Sequence, residues 1–386
     1  MTLSELLRGV TVSELARLPH AASEVTIAEV RDDSREVQPG DLFVAVSGQT
    51  VDGHRFVDDA VRRGAVAVVV DRPVPVPKSV ALVRVDSTIP VLAQIAANRY
   101  RRPAEALTLI AVTGTNGKTT TTHLVEGLLK AAGEVPGLLG TIVYRCQGHQ
   151  LAAPFTTPTA LLFHKTLAEL RSFGATAVAL EASSHALDLG RLSGVWMRVA
   201  AFTNLTQDHL DFHGDMERYF VAKSKLFHEH LLPAHLGGRA VINVDDPYGR
   251  RLAAALPPAQ VITVSLDGPA DVCPLSERVA VDGIHTVLRT PAGQVRISSP
   301  LTGRFNLANL AVAAGIGAVP RSAMSHAGSA RRHSGTGRAS VLGKRRQPRL
   351  FSAALQRRAA ARGAFMQDYL LASLPILIFL GIAVAL

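Results

Sequence analysis

Eleven residues from Thr113 to His123, TGTNGKTTTTH, set two glycines and a lysine just ahead of a run of threonines. Glycines let backbone N–H groups converge on an anion at a helix start, and a lysine with a neighbouring hydroxyl suits phosphate oxygens and Mg2+. The phosphate-loop pattern G-x-x-x-x-G-K-[ST] is met at Gly117, Lys118 and Thr119, but its first glycine falls on Val112; Gly114 lies only three residues before Gly117. A strand-like run, LTLIAV, enters this loop and a helix-like run, KTTTTHLVEGLLKAAG, leaves it and ends on Gly133. Strand, loop, lysine, threonine and helix in that order argue for nucleotide phosphate binding over a plain strand–helix turn. A second candidate is Glu181, which closes the apolar run TAVALE; the carboxyl edge of a parallel strand is where α/β sheets bind ligands. His209 in QDHLD and Lys223 in VAKSKLF are less telling, because pattern alone does not separate Lys223 from Lys225. His185 and His213 read as local hydrogen-bonding residues.

The surrounding elements read as two α/β units. In residues 1–105, DLFVAV and GAVAVVV have strand length, RFVDDAVRRG between them has helical spacing, and PVLAQIAANRYRRPAEAL reads as a helix that stops before Pro103. In residues 106–318, the loop is followed by helices PTALLFHKTLAELRSFG, MERYFVAKSKLFHEHL and NLANLAVAAGIGA, and by strands ATAVALE, VAAFTNL and RAVINVDD. This alternation predicts a mostly parallel sheet of the phosphate-loop type, with GIHTVLRTPAGQVRIS as an antiparallel hairpin.

Composition narrows the function classes. The net charge of +10 would suggest a nucleic-acid partner, but eleven of the 41 basic residues lie in 318–365 and Asp368 is the one acid beyond residue 317, so the first 317 residues are balanced. Nucleic acid is therefore not the expected partner. Cys146 and Cys273 lack metal-ligand spacing and read as free thiols of a reducing compartment, and the N-terminus has no signal-peptide core, so a cytoplasmic location is expected. Residues 319–365 are Arg-, Ala-, Ser- and Gly-rich without an acid, a composition that predicts disorder. Residues 366–386 include 18 uncharged residues from Tyr369 to Leu386, close to the roughly 20 that a membrane span needs.

The loop VTGTNGKTTTTH resembles the ATP loop of the Mur ligase family. EASSHALDLGRL (181–192), FTNLTQDHLDFHGDMERYFVAKSKLF (202–227), LTGRFNLANLAVAA (301–314) and DDSREVQPGDLFVAVSGQTVDGH (32–54) resemble further family motifs in the same order, so that the resemblance covers about residues 1–317. It implies an ATP-dependent amide-bond ligase of peptidoglycan precursor synthesis, working through an acyl phosphate. The expected reaction adds a third amino acid, meso-diaminopimelate or L-lysine with the former favoured, to UDP-N-acetylmuramoyl-L-alanyl-D-glutamate.

Residue roles follow from the resemblance in the same way. It implies ATP contacts at Gly114, Thr115, Asn116, Gly117, Lys118, Thr119, Thr120, Asn306 and Asn309, with catalytic parts for Lys118, Lys223 and His209. Mg2+ would be held by Thr119, Glu181, His209 and Lys223, the last as an N-carboxylysine whose added CO2 turns a cation into an anion. Ser34, Gln49, Thr50, Val51, Thr156, Thr157, Ser183 and Arg191 would contact the UDP-linked substrate, and residues 1–105 would be its binding unit. Thr156 and Thr157 also read as a helix N-cap before Pro158. Leu189 departs from the family, where some members carry a substrate-binding Gln. The resemblance ends near Ala318; residues 318–386 read as an out-of-frame or fused segment, and impaired ligation is expected of the chain. The alternatives are a folylpolyglutamate synthase or cyanophycin-type ligase, against which the first-domain motif argues, and a non-catalytic nucleotide-binding protein tethered to a membrane by the apolar tail.

Overall fold

A computed structural model describes residues 1–13, 25–48 and 51–320 of the chain. The expectations for Gln49, Thr50, the basic segment and the apolar tail lie outside the described residues. Among the described residues no helix is long and apolar enough to cross a membrane.

The N-terminal unit begins with α1 (Leu3–Leu6), followed by β1 (Val30–Arg31), β2 (Leu42–Val44), α2 (Val57–Arg62), β3 (Ala67–Val70), β4 (Ala81–Arg84) and α3 (Thr88–Arg99). Its four strands pair in parallel in the order β1-β2-β3-β4. Successive strand residues point to opposite faces, so Leu42, Val44, Ala67 and Val69 join α1 and α3 in one core while Phe43, Val68 and Val70 join α2 in another. The helix α3 stops at Arg99, and Arg101 and Arg102 take positive φ values ahead of Pro103, which disfavours helix at the residue before it.

The second sheet holds β5 (Thr108–Thr113), β6 (Pro136–Leu139), β7 (Tyr144–Cys146), β8 (His149–Leu151), β9 (Ala177–Glu181), β10 (Val199–Phe202), β11 (Arg239–Asn243) and β12 (Val261–Val264). Its order is β12-β11-β10-β5-β9-β6-β7-β8, parallel except for β7 and β8. Helices α4 (Lys118–Ala131), α5 (Ala160–Ser172), α6 (Ser184–Asp188), α7 (Leu210–His213), α8 (Met216–His228), α9 (Pro247–Ala254) and α10 (Arg304–Gly317) surround it. Both faces are covered: Leu109, Ala111, Ala200 and Phe202 pack with α5, α8 and α9, while Ile110, Val112, Val199 and Ala201 pack with α4 and α10. Two buried faces explain why these strands read as unbroken apolar runs.

The predicted hairpin is the second and third strand of a three-stranded antiparallel sheet, β13 (Cys273–Ala280), β14 (Gly283–Thr290) and β15 (Gly293–Ser299). Several elements were not expected from sequence, among them the strands β1, β4, β12 and β13 and the short strands β6, β7 and β8 that extend the second sheet. Pro136 opens β6, a place where a missing N–H is tolerated, and the strand pairs in parallel with β9. Chain order reverses around β5, since β9 lies on one side of it and β10 on the other. The carboxyl ends of β5, β9 and β10 therefore open onto one crevice, the usual ligand position in such sheets.

Candidate active site

The glycine loop leaves β5 and turns into α4 at that crevice. Gly117, at φ +83, is the N-cap of α4, and a Cβ there would collide with the Asn309 side chain of α10; a Cβ at Gly114, at φ +145, would collide with the Thr203 hydroxyl. Only glycine fits both the backbone angle and the space. The segment after β10 holds the loop from the other side. Thr203 Oγ1 donates to the Asn116 carbonyl at 2.6 Å, the Asn116 N–H donates to Asn204 Oδ1 at 3.0 Å, and the Thr115 N–H donates to the Asn204 carbonyl at 2.8 Å. Thr203 and Asn204 lie inside the stretch FTNLTQDHLD that resembles a family motif, but sequence assigned no role to either.

Thr119 and Glu181 come together as one group. Glu181 is buried; the Thr119 hydroxyl lies 3.0 Å from each carboxylate oxygen, the Thr141 N–H donates at 2.9 Å and the Thr141 hydroxyl at 3.1 Å. Thr141, after β6, was also missed, because nothing in the chain links it to Glu181 before the sheet forms. A carboxylate and a hydroxyl at the start of a phosphate-loop helix are hard oxygen donors of the type Mg2+ takes alongside phosphate and water.

Two lysines meet at the Gly114 carbonyl of the loop. Lys118 Nζ donates to the carbonyls of Gly114 at 2.9 Å and Thr115 at 2.7 Å, and Lys223 Nζ donates to the same Gly114 carbonyl at 2.9 Å. Lys223 is fully buried in α8 with its ammonium 4.4 Å from the centre of the Tyr219 ring. Burial first, and then the Lys118 ammonium, pulls Lys223 well below the ordinary lysine value, against the pull of Asp208. Burial also lowers Lys118, against Glu181 and Asp208. Lys225, two residues on, instead reaches Asp188 at 2.7 Å at the surface. The structure thus separates the two lysines that pattern alone left open.

His209 is not joined to Glu181 or Thr119 by any hydrogen bond among the described residues. It takes a left-handed φ of 52° as the N-cap of α7, beside Asp208 at 3.4 Å, with its ring 4.9 Å from His185 and 6.1 Å from Tyr219. No group of three or more His, Cys, Asp and Glu is arranged to hold a metal among the described residues. His213 is tied locally, its Nε2 lying 2.9 Å from the Ser184 hydroxyl. Asn306 Nδ2 donates to the Thr302 carbonyl at 2.8 Å, and Asn309 reaches back to Asn306 at 3.3 Å, so both sit at the α10 end that packs on Gly117. Thr120 follows in the first turn of α4.

The remaining candidates line a wall running from Glu181 toward the N-terminal unit. Thr157 Oγ1 donates to the Glu181 carbonyl at 2.7 Å and accepts from the Ser183 N–H at 3.0 Å, and Arg191 Nη1 donates to the Thr157 carbonyl at 2.9 Å. Thr156 lies 3.1 Å from the Thr141 hydroxyl. The helix-cap reading of the Thr156–Thr157 pair is corrected: α5 starts at Ala160 with Thr159 as N-cap, and Thr157 spends its hydroxyl on β9 instead. Ser183 caps α6 by accepting from the Ala186 N–H at 3.2 Å. Ser34 is buried in a short 3-10 turn and Val51 is exposed. Asp32, next to that turn, is solvent-exposed yet walled by protein; desolvation raises its carboxyl, and Arg191 opposes the shift.

The family comparison agrees with this geometry. The Mur ligase middle domain matches residues 112–317, and the Mur ligase family catalytic domain matches residues 26–111. The chain belongs to the Mur ligase family. Two curated relatives are the UDP-N-acetylmuramoyl-L-alanyl-D-glutamate--2,6-diaminopimelate ligases of Synechococcus elongatus and Gloeobacter violaceus. Each is 46% identical over 82% of this chain, and the matches cover 64% and 62% of the two relatives. The chain thus spans under two thirds of the length of these relatives. A solved structure of a ligase of the same name superposes with TM-score 0.67 at 28% identity, over 89% of this chain and 69% of that one. MurF from Acinetobacter baumannii, at 22% identity and TM-score 0.56 over 89% of this chain and 70% of its own, shares the fold.

Proposed function

We propose that the chain is the nucleotide- and UDP-substrate-binding part of an ATP-dependent ligase that adds meso-diaminopimelate to UDP-N-acetylmuramoyl-L-alanyl-D-glutamate in the cytoplasm. The observation that carries this is the Thr119–Glu181 pair beside the glycine loop, in a chain 46% identical to curated ligases of that name. In this reading residues 1–105 hold the UDP end, and residues 106–318 hold ATP. The loop N–H groups and Lys118 take the phosphates, Lys118 leaving the Gly114 and Thr115 carbonyls to do so. Mg2+, held by Thr119 and Glu181, would neutralise the crowded phosphate oxygens as the substrate carboxylate attacks the γ-phosphate. ADP leaves, the amine of the incoming amino acid attacks the acyl phosphate, and inorganic phosphate departs as the amide forms. Arg191, Thr156, Thr157 and Ser183 would orient the dipeptide for the first step.

Lys223 supports the modified-lysine part of the reading. Its neutral amine, favoured by burial and by Lys118, is the form that adds to CO2; the amine proton is lost and a carbamate anion remains. That anion would sit beside Lys118 at the loop, where an ammonium is repelled. The part of His209 as a further metal ligand rests on the resemblance alone, since it lies beside Asp208, His185 and Tyr219. The test is a melting-temperature series on the chain. UDP-N-acetylmuramoyl-L-alanyl-D-glutamate, and separately Mg2+ with ADP, should each raise the midpoint by several degrees, as binding to the native state alone requires. A rise with folate and none with the UDP-linked dipeptide would overturn the assignment.

A further inference from the structure

Arg191 is fixed on two sides. Besides its bond to the Thr157 carbonyl, its guanidinium carbon lies 5.0 Å from the centre of the Phe155 ring. Phe155 keeps 43% of its surface exposed, far more than a side chain serving the core. Its backbone is nonetheless anchored, since the buried Tyr144 hydroxyl donates to the Phe155 carbonyl. The next two residues bond to Thr141 and to the Glu181 carbonyl, so 155–157 forms a strap joining the Glu181 group to Arg191. The Arg191 guanidinium and the Asp32 carboxylate act on each other electrostatically without forming an ion pair.

An aromatic face over a guanidinium removes water from that side and offers no hydrogen-bond acceptor in return. The free N–H edge is then left for a planar anion that can accept in its plane. We infer that Phe155 is a positioning residue that holds Arg191 so that its edge selects a carboxylate of the bound dipeptide over an uncharged group at the same place. This rests on the proposed UDP-linked dipeptide reading, whose glutamate carries two carboxylates. Phe155 acts through Arg191 and touches no reacting atom.

The test uses the full chain and isothermal titration with three ligands: the UDP-linked dipeptide, and its two analogues in which one or the other glutamate carboxylate is a carboxamide. Phe155→Leu keeps the apolar bulk and removes the π face; Phe155→Tyr keeps both. Phe155→Leu should weaken the acid about five- to tenfold. It should change the Kd of one of the two amides by less than about twofold, because that amide no longer reports on Arg191. Phe155→Tyr should bind the acid as the unsubstituted chain does. An equal loss for the acid and both amides would mean simple packing, and no loss would mean that the ring is idle; either overturns the inference. Failure of the unsubstituted chain to bind the acid is read in a separate titration, and would remove the substrate reading and this inference with it.

Discussion

The N-terminal unit and the crevice treat charge in opposite ways. In the N-terminal unit ionised side chains find each other: Arg31 reaches Asp41 at 3.1 Å and Glu36 at 3.3 Å, Arg99 reaches Glu29 at 3.0 Å, and Arg72 reaches Asp52 and Asp71 at 3.1 and 3.2 Å. In the crevice Glu181 is held by hydroxyls and one N–H, while Lys118 and Lys223 are held by carbonyls. Charges paired inside the protein are neutralised before any ligand arrives. Charges held only by neutral dipoles keep their field, and burial strengthens it. The first arrangement fixes a fold and the second leaves charge for a ligand to complete.

If that contrast is right, the largest stability loss should come from the N-terminal unit. Asp41 is buried and accepts from the Glu29 and Gln38 N–H groups, both at 3.0 Å, as well as from Arg31. Asp41→Ala strands the two backbone donors and leaves Arg31 with Glu36 alone, and should cost about 3 kcal/mol, seen as a lower urea midpoint. A loss under about 1 kcal/mol would make this web surface decoration and remove one side of the comparison.

A pH measurement sharpens it next. His164 on α5 is buried with its Nδ1 unpartnered, and burial lowers its pKa from 6.5 to about 4. The folded state therefore keeps it neutral while the unfolded chain protonates as pH falls below 6.5. Stability from this group is full above that value and is lost on the way down to about pH 4, a loss of about 2 kcal/mol by pH 5. His164→Gln should flatten the midpoint between pH 7 and pH 5; an unchanged slope would mean that other groups carry it.

In the crevice, Glu181→Gln removes the one carboxylate of the Thr119 group. It should weaken Mg2+-dependent ADP binding about tenfold, or about 1.4 kcal/mol, with a much smaller change in the midpoint without ligand. Equal ADP affinity with and without Mg2+ in the unsubstituted chain would detach Glu181 from metal binding.

Much of this was legible before the fold was known, and for physical reasons. The strands ending in the crevice are buried on both faces, so their sequences are plain apolar runs; β6 hid because it is four residues long and opens on Pro136 and Gly137, two residue types that strands rarely hold. Gly137 is there because a Cβ would press on Leu170 and Val178. The glycine loop was legible because its demands fall within seven consecutive residues. Thr141, Thr203 and Asn204 were not, since each reaches its partner only when strands distant in sequence lie side by side. The choice between Lys223 and Lys225 was open to pattern reading after all. Tyr219, Phe220, Leu226 and Phe227 are the buried stripe of α8, and Lys223 falls in phase with them while Lys225 does not.

That phase supports the smallest and most direct test of the contrast. Lys223 carries a long side chain into the core without a carboxylate bonded to it, beside a second ammonium on the same carbonyl. Burying the ammonium there, or discharging it to the neutral amine, opposes folding, so Lys223→Met, of similar shape, should raise stability by about 1 kcal/mol in CO2-free buffer. Lys225→Met removes a half-exposed pair with Asp188 and should lower stability by about 0.5 kcal/mol or less. The two substitutions are chemically identical and two residues apart, so opposite signs can come only from where α8 points each side chain. Destabilisation by both would show that Lys223 is tied down as firmly as the ion-paired residues of the N-terminal unit, and that its charge is not held in reserve for a ligand.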